Sequence, residues 1–122
     1  MRGGPIRVTG DGTPRRSYLY AADMAIWLWT ILIKGAPGRA YNVGSARELS
    51  IADAARLVAS SVNAHAIVER EPDGTRSPER YVPDTRRAEE ELGLRERIDL
   101  RESVSRTLAW HRRPEEMRMD RR

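Results

Sequence analysis

The sequence predicts a small mixed α/β domain with short strands and about four helices. Short extended segments bounded by glycine or proline alternate with stretches of apolar residues at helical spacing. Two capping boxes, and glycines that directly follow apolar stretches, mark helix ends. Neither a regular series of βαβ units nor an internal repeat is visible. We therefore expect an irregular order of strands and helices.

Two strands are predicted near the start of the chain. Residues 6–9 lie between two glycine-containing turns, which favours a short strand. Residues 16–20 are rich in aromatic side chains and form the next strand candidate. Alternation along this strand puts Arg16, Tyr18 and Tyr20 on one face.

The first helix is expected over residues 24–34. The Asp23 carboxylate can cap its first turn, and Gly35 stands where a helix should end. This helix is apolar nearly all round, so most of its sides must be covered in the assembled protein. A third short strand is predicted over residues 40–43, closed by Gly44.

A second helix is predicted after a capping-box-like pair, Ser50 and Asp53. Its apolar residues recur at helical spacing as far as Val62. A strand is then predicted over residues 66–68, followed by a polar loop over residues 71–79.

The last third of the chain predicts two more helices. Residues 81–83 are a short extended piece, because the proline at its end disfavours helix in the residue before it. Residues 85–92 form a helix ended by Gly93. Asp99 and Glu102 form a second capping box, which opens the final helix.

Length and composition indicate one domain of ordinary size. We assign residues 1–113 to it and expect the charged segment 114–122 to be a frayed tail. Cysteine is absent and the two histidines are far apart, so no metal site is expected. The longest apolar run, residues 24–33, is half the length of a membrane span of about 20 residues. With no leader peptide visible, we expect a cytoplasmic protein that does not enter membranes.

The charge pattern argues against nucleic acid as a partner. The chain carries a net charge of +4, and arginine supplies 21 of its 22 basic residues. Acidic residues stand beside many of these arginines, which is typical of a solvated surface rather than of a nucleic-acid-binding stripe.

The motifs of common catalytic sites are absent. No glycine set has the spacing of a dinucleotide-binding loop, and no Gly-x-Ser-x-Gly or phosphate-cradling loop occurs. The only lysine is Lys34, and Thr30 stands where a Tyr-x-x-x-Lys pair would need tyrosine. We therefore predict no catalytic residue and no catalytic activity for the chain alone.

Ligand-binding chemistry remains, with alternatives for each residue. Arg16 suits a phosphate oxygen, although spacing alone favours a surface or ion-paired arginine. Asn42 suits a phosphate or a sugar hydroxyl as well as turn formation before a glycine. Asp23 fits a helix cap better than an acid or base. Trp27 and Trp29 are typical of a core or an interface more than of a base-stacking site.

Five segments in order carry a resemblance to a known family. They are GDGTPRRSYLYAAD (10–23), YNVGS (41–45), LSIAD (49–53), RYVPDTRRA (80–88) and LRESVSRTLAW (100–110). Together they resemble the C-terminal, substrate-binding part of the extended short-chain dehydrogenase/reductases. These are the NAD-dependent nucleotide-sugar epimerases and dehydratases, and the dTDP-glucose 4,6-dehydratase and UDP-glucuronate decarboxylase types are the most similar.

The resemblance implies roles for single residues. Arg16 matches an arginine that binds a diphosphate oxygen, and Asn42 matches an asparagine near the same diphosphate. Three further residues fall on the strand that runs past the nucleobase, namely Arg7, Val8 and Thr9. A second phosphate-binding arginine should lie between residues 68 and 81. Arg70, Arg76 and Arg80 are all candidates, and we favour Arg80.

The resemblance also implies partners that the chain does not contain. Family members have an N-terminal Rossmann domain, which binds NAD and carries the catalytic tyrosine and lysine. We expect this chain to lack that domain, to bind no cofactor alone, and to pack against the Rossmann half. Self-association through exposed apolar surface is the expected substitute in the isolated chain. The substrate would be a dTDP- or UDP-linked sugar of polysaccharide biosynthesis.

Departures from the family pattern leave the reaction open. The chain has Arg-Ser-Tyr where the dehydratases have Arg-Asp-Trp, and Asp23-Met24 where they have Asp-His. The sugar, the base and the choice between a lyase and an isomerase are therefore not determined. Two rivals remain, which are a small basic module that binds anions or nucleic acid, and a non-functional truncated remnant.

Overall fold

A computed structural model of the chain describes residues 4–112. The predicted tail, residues 114–122, lies outside the described residues. The elements in order are β1 (Ile6–Val8), β2 (Arg15–Arg16), α1 (Ala21–Lys34), β3 (Leu49–Ser50), α2 (Ile51–Ser60), β4 (Ala66–Val68), β5 (Arg80–Tyr81), α3 (Arg86–Leu92) and α4 (Leu100–His111). The small mixed α/β fold with four helices and short strands is as predicted.

The first sheet pairs β1 with β4 in parallel. Ile6 lies opposite Ala66, and backbone hydrogen bonds extend the pairing at both ends, from Ile6 N to His65 O and from Glu69 N to Val8 O. Parallel strands need a crossover connection, and α2 lies within it and packs against both strands. The β1–β4 pair and α2 thus pack together as one β-α-β unit of the fold.

The second sheet has the order β3-β2-β5 and is built from strands of two residues each. Arg15 lies opposite Ser50 of the antiparallel strand β3 and opposite Arg80 of the parallel strand β5. Arg16 lies opposite Tyr81. Three segments that are far apart in sequence therefore meet at two arginines.

The core lies between α1, α3 and the segment that precedes α4. Trp27, Ala88 and Leu94 are buried together, and partly buried residues surround them, namely Leu19, Ile31, Tyr41, Val43 and Leu92. The Trp27 indole nitrogen donates to the Arg95 carbonyl at 3.4 Å, which satisfies its polar atom inside the core.

Helix α1 departs from the prediction in its start and in the role of Asp23. The helix begins at Ala21 with Tyr20 as N-cap, so Asp23 lies inside the first turn and is not the cap. The Asp23 side chain is buried and accepts hydrogen bonds from the backbone nitrogens of Arg97 and Ile98. Its hydrogen-bond partners lie more than 70 residues away in sequence, so a local sequence pattern could not predict them.

Within residues 4–112, the chain itself covers only part of α1, and the apolar surface expected of the isolated chain lies on this helix. Its large exposed apolar side chains are Met24, Ile26, Leu28, Trp29, Leu32 and Ile33. Trp29 is 64% exposed, and Leu32 is 73% exposed. One side of α1 packs on the core through Trp27, and the others form an apolar surface.

Two predicted strands are wrong in extent or absent. The strand predicted over residues 16–20 is only β2, Arg15–Arg16, and residues 40–43 form no strand. Side chains fix the second segment instead, because the Tyr41 hydroxyl donates to Glu91 and the Asn42 amide donates to Asp84. Alternation alone cannot create a strand where no neighbouring strand supplies hydrogen bonds.

The predicted N-caps Ser50 and Asp99 and the predicted stop at Gly93 are confirmed. Ser50 caps α2 by accepting from Asp53 N at 3.0 Å, and Asp99 caps α4 by accepting from Glu102 N at 2.8 Å. Gly93 ends α3 with φ 66°, a left-handed conformation that favours glycine. Helix α2 ends at Ser60, two residues before the last apolar position of the predicted pattern.

Two further properties concern the whole described range. Across residues 4–112, no helix combines the length and the apolar character that crossing a membrane requires. Within the same range, no three His, Cys, Asp or Glu side chains are grouped so as to hold a metal ion.

Candidate functional site

A glycine-containing turn connects β1 to the arginines of β2. Asp11 closes this turn, because its Oδ1 accepts from the backbone nitrogen of Thr13 at 3.0 Å and from the Thr13 hydroxyl at 2.9 Å. Gly12 has φ +71°, and a Cβ atom there would lie 2.7 Å from the Ala52 Cβ. The turn therefore requires glycine for its conformation and for its close approach to α2.

The same turn is fixed to the start of α2. Ile51 N donates to Pro14 O, and Ala52 N donates to Gly12 O, both at 3.0 Å. These are among the N–H groups that a helix cannot satisfy internally. The backbone that presents Arg15 and Arg16 is thus held by the helix.

Arg15 and Arg80 share one face of the second sheet and one carboxylate. Successive side chains of a strand point to opposite faces, and residues opposite each other in register share a face. Arg15 Nε donates to Glu48 Oε1 at 2.9 Å, and Arg80 Nε donates to Glu48 Oε2 at 2.5 Å. The hydrogen bond from Arg80 is the main reason that the Glu48 pKa lies below its ordinary value.

Arg16 lies on the opposite face. One terminal nitrogen donates to Glu79 Oε2 at 3.0 Å, and the other donates to the Arg15 carbonyl at 3.0 Å. The Glu79 side chain is 79% exposed, so solvent screens this ion pair. Tyr81, directly opposite in register, is itself largely exposed.

A groove of about 570 Å³ lies beside β1 and along α2. Arg7, Val8 and Thr9 line one wall, and apolar residues of α2 such as Ala54 and Val58 line the other. Pro14 and Tyr18, which precede and follow the two arginines in sequence, also line it. The Arg7 head group pairs with Glu69 at 3.3 Å. The structure thus brings Arg7, Val8 and Thr9 next to the segment that carries Arg16.

Asn42 belongs to a different cleft. Its Nδ2 donates to the Asp84 carbonyl at 2.9 Å, in a polar cleft of about 390 Å³. The other lining residues are Arg39, Ala40, Asp84, Arg86, Arg87, Glu90 and Glu91. The side-chain hydrogen bond from Arg86 is the main cause that lowers the Asp84 pKa to about 2. Asn42 and Arg16 therefore line separate surfaces.

The three arginines proposed as alternatives for the second phosphate contact differ in setting. Arg70 and Arg76 are exposed and lie outside any strand or helix. Arg76 pairs with its neighbour Asp73 at 3.6 Å. Arg80 is the one that a strand holds, beside Arg15.

The sequence interpretation missed Arg15, Glu48 and Glu79 as parts of this site. Their contacts join residues 32 to 63 positions apart, so no local spacing signals them. Only the register of the second sheet brings these residues together.

Comparison with known proteins identifies the family. The sequence profile described as GDP-mannose 4,6 dehydratase matches residues 3–107, which is more than half of the chain. The chain belongs to this family. The family resemblance read from the five segments is confirmed at the level of the nucleotide-sugar dehydratases and epimerases.

A trifunctional plant enzyme illustrates the relationship. The chain is 34% identical over 119 residues to the UDP-glucose 4,6-dehydratase/UDP-4-keto-6-deoxy-D-glucose 3,5-epimerase/UDP-4-keto-L-rhamnose-reductase of Arabidopsis thaliana. The match covers 91% of this chain and 17% of the plant enzyme. The chain therefore spans less than a fifth of that relative's length.

Two solved structures of dehydratase and epimerase enzymes share the fold. A UDP-glucose 4-epimerase of Thermotoga maritima with UDP-glucose has a TM-score of 0.77 at 22% identity, covering 91% of this chain and 36% of that one. A dTDP-glucose 4,6-dehydratase of Streptomyces venezuelae with NAD and TYD bound has a TM-score of 0.72 at 24% identity, covering 89% and 34%. The chain thus corresponds to about a third of each enzyme.

The turn after β1 differs in its connection from the glycine-rich turn of a dinucleotide site. A dinucleotide site places such a turn between a strand and the N-terminus of a helix. In this chain the turn after β1 leads to β2, and the carbonyls of Gly12 and Pro14 accept from α2.

Proposed function

We propose that the chain is the C-terminal, substrate-binding part of an NAD-dependent nucleotide-sugar dehydratase or epimerase. In this role it binds the nucleoside diphosphate of a dTDP- or UDP-linked sugar. The observation that carries the proposal is the junction of the β1 groove with the arginine-bearing strand β2. An apolar groove suits a flat base, and guanidinium groups beside it suit phosphate oxygens.

Arg16 is the proposed contact to the diphosphate. Its fork geometry allows two parallel hydrogen bonds to one phosphate group. Its present carboxylate partner, Glu79, is exposed, and such pairs contribute only about 0–1 kcal/mol. A phosphate group can therefore replace this partner at little cost.

The other site residues complete the proposal. The backbone of Arg7, Val8 and Thr9 would lie along the base. Arg80 lies on the edge strand β5, and it would hold the second phosphate group only after its side chain leaves Glu48 and turns around the sheet edge towards Arg16. Asn42 would contact the diphosphate only after its amide leaves the Asp84 carbonyl. Its contribution should therefore be smaller than that of Arg16.

The chemistry of the whole protein would use NAD held by a Rossmann domain. NAD supplies hydride transfer in such enzymes, and the protein supplies binding and orientation. This chain's share would be binding energy for the part of the substrate that does not react. The complete enzyme would act as a lyase or an isomerase in polysaccharide biosynthesis, and the chain alone would turn over no sugar nucleotide.

The exposed face of α1 is the proposed contact surface for the Rossmann half. Between the buried Asp23 and Lys34 at its end, this helix carries no charged residue. A contiguous apolar surface of this kind is typical of an interface. In the isolated chain, the same face should cause self-association.

Calorimetric titration of the chain with UDP and with dTDP tests the binding proposal. Arg16→Ala should weaken binding about tenfold or more, since hydrogen bonds to charged groups contribute roughly 1.5–3 kcal/mol. Arg101→Ala, which removes an exposed arginine of α4, is the matched control and should have no effect. Asn42→Ala should reduce binding less than Arg16→Ala does.

The rival functions give different results in the same experiment. Salt-dependent binding to mixed-sequence DNA without a preference for nucleoside diphosphates would favour a basic binding module. No binding of either ligand would favour a non-functional remnant. NAD-dependent turnover by the chain alone would contradict the assignment of catalysis to another domain.

Sedimentation velocity tests the role of the α1 face. The wild-type chain should associate with rising concentration, and Trp29→Gln with Leu32→Gln should shift it towards monomer. Tyr81→Gln, which removes an even more exposed aromatic side chain outside α1, is the control. A wild-type chain that stays monomeric at high concentration would contradict the proposal.

A further inference from the structure

A third cleft, of about 240 Å³, lies between the segment that precedes β3 and the start of α3. Ser45 and Thr85 line its two sides. Gly44 allows the two segments to meet, because a Cβ atom there would lie 2.5 Å from the Pro83 Cγ. The cleft shares no lining residue with the β1 groove or with the polar cleft that contains Asn42. We call it the Thr85 cleft.

The Thr85 side chain is buried without a hydrogen bond. Thr85 is 6% exposed, and although it stands at the N-cap of α3, its side chain makes no cap hydrogen bond. In the described part of the chain, residues 4–112, its hydroxyl has no partner at all. The other buried polar side chains of this range, those of Asp23, Ser45 and Ser103, are all hydrogen-bonded. Buried hydroxyls are nearly always paired, so Thr85 calls for a partner from outside the chain.

Glu96 brings a second unused polar atom to the Thr85 cleft. Its side chain is only 13% exposed, and its Oε2 accepts from the Ser45 hydroxyl at 2.7 Å. Arg47 Nε lies 3.8 Å from the same oxygen, which is too far for a hydrogen bond. Oε1 accepts from no group of residues 4–112. A largely buried carboxylate thus keeps the capacity to accept hydrogen bonds.

The ionisable side chains of the Thr85 cleft balance one another. They are two arginines and two glutamates, namely Arg47, Arg95, Glu89 and Glu96, so their formal charges cancel. The Arg47 and Arg95 side chains are 77% and 75% exposed and add solvated donors near the carboxylates. The cleft therefore offers both donors and acceptors without a net charge. Ligand hydroxyl groups match this, because each can donate and accept.

The size and the apolar part of the Thr85 cleft limit the ligand further. Its volume corresponds to about eight water molecules, at about 30 Å³ each in the liquid. That is room for one small ring and too little for a chain of rings. The buried residues Trp27 and Leu94 also line the cleft and supply apolar surface for the C–H groups of such a ring.

We infer that the Thr85 cleft is an accessory site for a neutral polyhydroxylated ligand of the size of one monosaccharide. One ligand hydroxyl donates to Glu96 Oε1, and another exchanges a hydrogen bond with the Thr85 hydroxyl. The site is separate from the proposed nucleoside diphosphate site and does not rest on the proposed function. Both ligands can be bound at the same time, because they use different residues.

The test is an NMR titration of the chain with the methyl glycosides of glucose, galactose and mannose. At least one should shift the amide signals of Ser45, Thr85 and Glu96 in a saturable way, with a dissociation constant of about 1 mM. Cyclohexylmethanol has a ring of similar size without neighbouring hydroxyls, and it should produce no such shifts. The absence of saturable shifts with all three glycosides, or the same shifts with cyclohexylmethanol, would overturn the site.

Variants of Thr85 separate hydrogen bonding from packing. Thr85→Val keeps the shape and should weaken glycoside binding about fivefold, whereas Thr85→Ser keeps the hydroxyl and should bind nearly as the wild type does. Thr85→Val should not lower the melting temperature, because the chain loses no hydrogen bond. A folded Thr85→Val that binds as tightly as the wild type would refute the role of the hydroxyl and with it the site.

Variants of glutamate test the carboxylate. Glu96→Gln keeps an acceptor for Ser45 and should weaken glycoside binding about tenfold, because a bond to a charged acceptor is replaced by one to a neutral group. Glu102→Gln removes the same charge from an exposed ion pair with Arg106 and is the control. Unchanged affinity in folded Glu96→Gln would overturn the site.

Arg16→Ala distinguishes this inference from the proposed function. It should weaken UDP binding and leave glycoside binding unchanged, because Arg16 does not line the Thr85 cleft. If UDP does not bind but the glycosides bind as expected, the proposed function fails and the accessory site stands. If Arg16→Ala weakens glycoside binding as much as UDP binding, the glycoside occupies the nucleotide site and the accessory site is wrong.

Discussion

Replacing Asp23 by alanine should destabilise the fold, because it removes two hydrogen bonds between segments that are distant in sequence. The Asp23 Oδ2 accepts from Arg97 N and from Ile98 N, both at 2.9 Å, and the residue is 2% exposed. Hydrogen bonds to a charged group contribute about 1.5–3 kcal/mol each, so two bonds give roughly 3–6 kcal/mol. The Arg97 and Ile98 N–H groups are only partly buried, so in Asp23→Ala water can hydrogen-bond to them and offset part of this free energy. We expect a loss of about 2–4 kcal/mol in the free energy of unfolding.

Urea unfolding followed by circular dichroism measures the loss. With a slope of about 2 kcal/mol per M, the midpoint should fall by roughly 1–2 M. Hydrogen exchange should show that the amides of Arg97 and Ile98 lose protection in Asp23→Ala. Asp23→Asn keeps an acceptor oxygen and should lose less stability than the alanine variant.

A second aspartate, Asp99, allows the long-range hydrogen bonds of Asp23 to be compared with those of a helix cap. Asp99 caps α4, and Asp99→Ala should cost about 1 kcal/mol, as N-cap substitutions do. If Asp23→Ala costs no more than Asp99→Ala and leaves the exchange of the Arg97 and Ile98 amides unchanged, the reasoning from buried hydrogen bonds is refuted.

Two further predictions concern the turn and the polar cleft. Gly12→Ala should lower the free energy of unfolding in urea by about 2–4 kcal/mol. Alanine would have to adopt the positive φ of Gly12, and its Cβ would lie 2.7 Å from the Ala52 Cβ. Gly74→Ala, where a Cβ meets nothing within 4 Å, should change stability by less than about 0.5 kcal/mol. An NMR titration should give an Asp84 pKa of about 2, and Arg86→Gln should raise this pKa towards 3.8. Since folding lowers the Asp84 pKa, the ionised carboxylate stabilises the folded chain above pH 3.8, and this stabilisation is lost as the pH falls towards 2. An acid loss of stability that is the same in Arg86→Gln as in the wild-type chain would contradict this.

Local signals in the sequence were enough to predict most of the helices. The capping pairs that begin at Ser50 and Asp99, and the stop at Gly93, act through atoms only a few residues apart. These interactions form in the same way wherever the helix packs. The starts of α2 and α4 and the end of α3 were therefore readable without a structure.

The extent and register of the second sheet, which depend on pairing between distant segments, were not readable from the sequence. Strands β2, β3 and β5 have two residues each and exist only because they pair with one another. Alternation of side chains over residues 16–20 suggested a longer strand. Such alternation carries no information on where the neighbouring strands end, so it could not fix the length of β2. The Arg15–Glu48–Arg80 group follows from that register, so it was missed although Arg16 and Arg80 were both named.

The attachment of the turn at Gly12 and Pro14 to the first N–H groups of α2 has a consequence for the thermodynamics of association. Loops that become ordered upon binding lose conformational entropy, which weakens affinity. Here the backbone before Arg15 is already ordered by the helix, so a ligand would restrict little more than two long side chains. Recognition at this site should therefore be preorganised, with a fast on-rate and little change in amide exchange along α2.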